Sequence, residues 1–298
     1  MEDVLKKNRM KAWVEAARPR TLFASLSPVL VGWALAEHDD TFFFIPAILC
    51  LCVALLAQIA SNFANDYFDF KKGADREDRL GPDRAVASGW ISPKAMLVGT
   101  FLTLGAACLC GCLLLFYGGW ILLPVGLLMA ITVLAYSAGP FPLAYNGLGD
   151  VCVLLFYGVV PVCFTYFVQA GTFTLSAFLL SLAVGFLSIN ILVVNNYRDY
   201  EQDKISQKRT TIVLFGKRYG RIIYLVNGLL AGILTIPVFY RKPWWVILFF
   251  ILYYILFLRI WRLYMRLEGK ALNSILGRTS MMVFLYTLLV SILLLFFA

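Results

Sequence analysis

Gln58-Ile59-Ala60-Ser61-Asn62-Phe63-Ala64-Asn65-Asp66-Tyr67-Phe68-Asp69 closes an apolar run that begins near residue 41. A bilayer core is crossed by about 20 mostly apolar residues in a helix, so this run is long enough to span one. At helical spacing Gln58, Asn62, Asn65 and Asp69 share one face, with Asp66 beside them. A polar stripe of this kind is costly against lipid and must face protein or a water-filled cavity. The same design recurs at Asn195-Asn196-Tyr197-Arg198-Asp199, followed by Asp203, where steps of four align Asn195, Asp199 and Asp203. Cations follow each copy: Lys71, Lys72, Arg79 and Arg84 the first, Lys204, Lys208 and Arg209 the second. The repetition predicts one transmembrane domain, 1–298, made of two related halves at roughly 1–140 and 141–298.

Composition agrees with a lipid-embedded chain. Hydrophobic residues make up 61% of the sequence and charged residues 14%, too oily for a soluble domain to cover. Apolar stretches near 21–36, 41–63, 93–116, 119–138, 148–169, 173–196, 220–240, 243–262 and 279–298 predict nine transmembrane helices. The net charge of +9 is a topology signal, not a nucleic-acid footprint, because the basic residues sit in short loops between apolar runs. All 26 Lys and Arg except Arg241 and Lys242 fall on one side when the N-terminus is cytoplasmic, as the positive-inside rule requires. Residues 1–20 read as an interfacial segment feeding the first span. No cleavable signal pattern is expected at the basic N-terminus. The seven cysteines lie inside apolar segments, and Cys108, Cys110 and Cys112 point in different directions along a helix, which excludes a shared metal. His38 sits in an acidic loop and offers no general base.

Two carboxylate sets at the cytoplasmic ends of two helices suit metal-bound diphosphate. Magnesium takes hard oxygen ligands and bridges carboxylates to substrate phosphates. Two such ions could share one pyrophosphate while lysines and arginines neutralise its remaining charge. An allylic C–O bond held there can ionise, and the surrounding helices shield the cation from water. A cation-coupled transporter also uses intramembrane carboxylates, but it places them near the midplane in inverted halves. Here both clusters sit at the same edge.

Asn65-Asp66-x-x-Asp69 with Asp75, and Asn195-x-x-x-Asp199-x-x-x-Asp203, resemble the two aspartate-rich motifs of the UbiA-type intramembrane aromatic prenyltransferases. Ala17-Arg18-Pro19-Arg20-Thr21, Gly81-Pro82-x-Arg84-Ala85-Val86-x-Ser88-Gly89, Gly139-Pro140-x-Pro142-Leu143-Ala144-Tyr145 with Gly147-Leu148-Gly149-Asp150, and Lys208-Arg209-Thr210 are similar to its naphthoate branch in menaquinone biosynthesis. The resemblance implies an all-α membrane protein, nine helices around a central cavity that opens to lipid, in the cell (inner) membrane. It implies magnesium held by Asp69 and Asp199, helped by Asp66, Asp75 and Asp203. Asn62, Asn65 and Asn195 would line the site. Lys72, Arg79, Arg84, Lys204, Lys208 and Arg209 would meet the diphosphate, and Tyr145 and Asp150 would lie near the acceptor. The implied reaction joins a polyprenyl diphosphate to 1,4-dihydroxy-2-naphthoate with loss of carbon dioxide, giving demethylmenaquinone. 4-Hydroxybenzoate or homogentisate stand as alternative acceptors. In one respect the chain departs from the general family pattern: Gly73 occupies the position of a third aspartate, and Asp75 follows two residues later.

Overall fold

The computed structural model describes residues 9–75 and 79–297, apart from the side chain of Arg20. The first eight residues of the interfacial segment and the loop charges Arg76, Glu77 and Asp78 lie outside the described residues. Helices dominate, because in lipid every backbone N–H and C=O must be paired within its own segment. In chain order they are α1 (Arg9–Ala17), α2 (Pro19–His38), α3 (Phe44–Lys71), α4 (Pro93–Gly118), α5 (Leu122–Ala135), α6 (Gly149–Leu154), α7 (Val160–Ala170), α8 (Leu175–Arg198), α9 (Tyr200–Ile205), α10 (Thr211–Phe239), α11 (Ile247–Tyr264) and α12 (Leu272–Phe296). α6 and α7 form one span, Gly149–Ala170, through a π-helical turn at Leu155–Val159. The sole β-pairing among the described residues is one bridge between Asn146 and Arg209.

Among the described residues seven segments are long and apolar enough to cross a membrane, against the nine expected. The two that fall short are α2 and α5. With 14 residues, α5 rises about 21 Å at 1.5 Å per residue, less than a typical hydrocarbon core. α2 has 20 residues, but Arg20, Ser25, Ser27, Glu37 and His38 dilute its apolar content. α10 also starts nine residues ahead of the predicted span, and Gly216, at φ 86° and ψ 165°, breaks its regular backbone near that entry.

Local sequence sets the boundaries. Ser92, Thr174 and Thr210 accept from the amides of Ala95, Ala177 and Val213, capping α4, α8 and α10. The π-turn precedes Pro161, whose missing N–H removes a helical bond. Gly158 within that turn packs so closely on α8 that a Cβ would lie 2.6 Å from Gly185 Cα and from Ser181 O. Small residues permit this backbone approach between membrane helices.

The largest core joins α8, α10, α11 and α12 and buries Tyr224, Tyr253, Phe257, Tyr264 and Tyr286. α2, the first long helix, packs on α12, the last, and on α7, while α3 packs on α4. α1 rests on this frame through Trp13, whose ring meets Phe63 edge-on at 5.2 Å. Between the helices lies a cavity of about 780 Å³, with walls from α2, α3, α5, α6, α7, α8 and α12.

Candidate active site

The polar stripe of α3 begins deep in the bundle and is fully bonded there. Gln58 accepts from Ser25 Oγ at 3.1 Å and from the Tyr157 hydroxyl, and donates to Asn62 Oδ1 at 3.3 Å. Asn62 donates to the Ala17 carbonyl at 2.9 Å and to Thr21 Oγ1 at 3.2 Å. Both amides line the cavity, but their main task is to bind α3 to α2. One turn on, Asn65 accepts from the Ser137 hydroxyl, whose carbonyl takes Lys72 Nζ at 2.7 Å.

The two aspartate clusters meet. Asp69, Asp75, Asp199 and Asp203 line one polar pocket of about 40 Å³, together with Arg79, Arg84, Asn195 and Lys208. Asp69, Arg79, Arg84, Asn195 and Lys208 also line the large cavity, so the two spaces share a wall. Asp69 accepts from the Tyr145 hydroxyl at 2.9 Å and from Arg84 Nη2 at 3.4 Å. Asp75 pairs with Arg79 and lies 3.5 Å from Arg84 Nε. Asp199 accepts two parallel bonds from one edge of its neighbour Arg198, from Nε at 2.7 Å and from Nη2 at 2.6 Å. Asp203 faces Lys208 at 4.0 Å.

Burial dominates the electrostatics outside the spans. It raises the Asp75 carboxyl to about 7; Arg79 pulls the other way, while Asp69 adds to the rise. Burial likewise raises Asp203 to about 6, opposed by Lys208 and reinforced by Asp199 and Asp69. That Asp69 acts on Asp203 means the first cluster lies within electrostatic reach of the second. Burial and the adjacent Asp69 also push the Tyr145 phenol well above its ordinary value, keeping it a hydrogen-bond donor.

The donor set fits a metal diphosphate. Asp75 Oδ2 and Asp203 Oδ2 are sealed from solvent with no hydrogen-bond partner, and so is Arg84 Nη1. Single carboxylate oxygens and a guanidinium nitrogen with bonding capacity to spare therefore surround one pocket. Among the described residues no three His, Cys, Asp or Glu side chains converge on a point, because arginines and lysines stand between the carboxylates. A carboxylate oxygen has two lone pairs, so Asp199 can keep Arg198 and still accept an ion.

Several expected residues have other tasks. Asp66 lines neither space: its oxygens accept from the amides of Ala85 and Val86, each at 3.0 Å. It anchors the loop that carries Ala85 and Val86. Asp66→Ala should lower stability by about 2 kcal/mol, from two charge-assisted bonds lost, a fall of several degrees in the thermal midpoint in detergent. An unchanged midpoint would contradict this role. Lys204 and Arg209 are exposed; Lys204 Nζ sits 4.2 Å above the Tyr200 ring, and the Arg209 amide donates to the Tyr145 carbonyl at 3.0 Å. Neither lines the pocket, whereas Lys208 does. Tyr145 lies on the carboxylate side, its ring 4.2 Å from Lys72 Nζ and 5.5 Å from Lys208 Nζ. Asp150 lines the large cavity together with Thr211, whose hydroxyl is within hydrogen-bonding reach of its carboxylate. The sequence reading overlooked Arg198 and Thr211. Arg198 had a signal, since it sits inside the second motif next to Asp199.

A helical membrane bundle whose two halves bring acidic helix ends to one cation-lined pocket defines an intramembrane diphosphate-handling protein. The model of the UbiA prenyltransferase family matches residues 25–288, and the chain belongs to that family. The 1,4-dihydroxy-2-naphthoate octaprenyltransferase of Haemophilus influenzae is 33% identical over 300 residues, covering 95% of this chain and 96% of its own. The Escherichia coli protein of the same name is 37% identical over 219 residues, 70% of each chain. In fold, the chain is similar to a UbiA homologue from Archaeoglobus fulgidus bound to DMAPP and Mg2+, with a TM-score of 0.64 and 17% identity over 93% of this chain and 98% of that one.

Proposed function

We propose that the protein transfers a polyprenyl chain from its diphosphate to 1,4-dihydroxy-2-naphthoate, releasing pyrophosphate and carbon dioxide and giving demethylmenaquinone. The observation that carries this reading is the shared wall: a pocket with unmatched acidic and cationic atoms opens beside a cavity large enough for a prenyl tail and an aromatic ring. The names of the relatives at 33% and 37% identity support the acceptor.

In this reading α2 and α5 complete a ring of nine membrane-embedded helices, the N-terminus is cytoplasmic, and the pocket faces the cytoplasm across the cell membrane. The two halves of the chain each contribute one aspartate set. Asp69, Asp75, Asp199 and Asp203 would hold two magnesium ions. Magnesium, when bound, would withdraw charge from the diphosphate and so favour its departure. Arg79, Arg84 and Lys208 neutralise the rest of the leaving group. Phe156, Ile191, Leu192 and Leu276 line the cavity and would keep water from the allylic carbon. Asp150 and Thr211 are placed to bond the ring hydroxyls, with the Asp150 carboxylate raising the electron density of the attacking ring. Holding ring and prenyl chain in one cavity supplies the entropic part of the rate.

The test is product identification by mass spectrometry, using the protein in nanodiscs with a polyprenyl diphosphate and either dihydroxynaphthoate, 4-hydroxybenzoate or homogentisate. Prenylated, decarboxylated naphthoate is expected, with magnesium-dependent pyrophosphate release. Product from 4-hydroxybenzoate alone would overturn the acceptor. Pyrophosphate release indifferent to magnesium would overturn the metal.

The raised carboxyls give a pH dependence. Asp75 and Asp203 titrate near 7 and 6 when folded, against an unfolded value near 4, so the folded state holds the extra protons between these limits. Without metal, their stabilising effect is complete below pH ~4 and is lost as pH rises through 6 to 7. Metal binding must displace those protons, so magnesium should raise the thermal midpoint more at pH 8 than at pH 5.5. Melting curves with EDTA and with magnesium at both pH values check this, and an equal magnesium effect at the two would refute it.

A further inference from the structure

Arg18 is a charged group at the cavity wall to which the chemistry above assigns no task. It precedes α2 with φ 54° and ψ 69°, the left-handed region that non-glycine residues rarely adopt. Hydrogen bonds hold it there. Its amide donates to the Glu15 carbonyl at 3.1 Å, and its carbonyl accepts from the Thr21 amide and hydroxyl, each at 2.9 Å. Asn62 Nδ2 fixes the adjacent Ala17 carbonyl at 2.9 Å. Backbone strain retained by so many bonds clusters at functional sites.

The side chain adds a second, independent observation. Arg18 lines the large cavity, and its Nη2 is sealed from solvent with no hydrogen-bond partner. Nearby carboxylates are already engaged, Asp66 by two amides and Asp69 by Tyr145 and Arg84. Burial works against the Arg18 charge, and the field of Asp66 works for it. A guanidinium with a spare, desolvated N–H at the positive end of a 20-residue helix is ready for an incoming anion.

Two anions enter this protein, a diphosphate and an aromatic carboxylate. The diphosphate pocket has cations of its own, and Arg18 does not line it. We infer that Arg18 is the residue that recognises the carboxylate of the aromatic acceptor, through its free guanidinium N–H in the large cavity. This rests on the aromatic-acid reading above. It leaves Asp150 and Thr211 for the ring hydroxyls, so the two kinds of polar group on the acceptor meet different residues. It also keeps the carboxylate ionised, the form that can leave as carbon dioxide. The ring carbon that bears the carboxylate bonds to the prenyl C1 as the C–O bond pair departs with diphosphate. The carbon–carboxylate bond then breaks, and its electron pair restores the aromatic ring.

Binding of 1,4-dihydroxy-2-naphthoate and of 1,4-dihydroxynaphthalene, which lacks the carboxylate, to the full-length protein in nanodiscs tests this, alongside steady-state turnover. Arg18→Gln should weaken naphthoate binding and raise its KM roughly 10- to 100-fold, the loss expected for a charge-assisted bond. Binding of dihydroxynaphthalene and the KM for prenyl diphosphate should change less than about twofold, within the scatter of surface substitutions. Arg18→Gly, which suits the left-handed backbone, serves as a folding control and should lose naphthoate binding equally. A change in diphosphate KM alone, equal losses for both ring ligands, or no wild-type preference for the carboxylated ligand would each overturn the inference. Wild-type protein that binds naphthoate without prenylating it would sink the proposed reaction and still leave the binding comparison to decide on Arg18.

Discussion

Asp69→Ala should lower kcat by about a thousandfold or more, the scale of several kcal/mol of lost transition-state charge stabilisation, while the protein should remain folded in detergent. Asp69 stands on the wall shared by the pocket and the cavity, bonded to Tyr145 from one side and Arg84 from the other. In the proposed reaction its removal would leave Asp75, Asp199 and Asp203 to hold the metal charge and Asp75 as the one remaining carboxylate beside Arg84 among the described residues. The fold loses little, because the Asp69 contacts are all local to the site and the buried core of α8, α10, α11 and α12 lies elsewhere. Asp69→Asn separates charge from shape. The amide oxygen can still accept from Tyr145, but the anion is gone, so the loss of turnover should be nearly as large as for alanine. Asp199→Ala should behave alike at the opposite cluster. Turnover of Asp69→Ala within tenfold of wild type, measured as pyrophosphate release at saturating substrates, would remove the aspartates from the chemistry.

What was legible in the sequence depended on whether a signal was local. Hydrophobic length marks a span without any knowledge of neighbours, and all nine apolar segments fall on helices. Whether α2 and α5 qualify as spans depends on the surrounding bundle and bilayer, which the local pattern does not contain. The stripe Gln58-Asn62-Asn65-Asp69 was readable because helical periodicity fixes which residues share a face. The loop-anchoring contact of Asp66 was not legible, for a related reason. One position away from the stripe, it turns toward the loop at Ala85 and Val86, a contact set by tertiary structure. Lys208 and Arg209 are adjacent in sequence, yet only the first lines the pocket, because the Arg209 backbone pairs with Tyr145 and Asn146. Arg18 could be quoted as part of a motif, but its left-handed backbone and sealed guanidinium appear only once α1, α2 and α3 are assembled.

Arg198→Ala should be the most destabilising substitution at the site, costing about 3–5 kcal/mol, the range for breaking a buried ion pair by removing one partner. The Arg198 side chain is 1% exposed. Besides its two bonds to Asp199, it donates to Asn195 Oδ1 at 2.8 Å and to Asn273 Oδ1 at 2.7 Å. Asn273 in turn donates to the Leu80 carbonyl at 2.9 Å. One planar guanidinium thus ties the end of α8 to the start of α12 and, through Asn273, to the loop after the first aspartate cluster. Gly81 packs against it so closely that a Cβ there would lie 2.8 Å from Arg198 Nη2. Because the clamp joins the two halves of the pocket, its loss should lower turnover together with stability. Arg198→Lys should rescue little, since a single ammonium cannot reproduce two parallel bonds to Asp199 while reaching two amides. Thermal melting in detergent and turnover at saturating substrates measure both effects. A lysine variant as stable and active as the wild type would mean that the fork geometry has no part in holding Asp199.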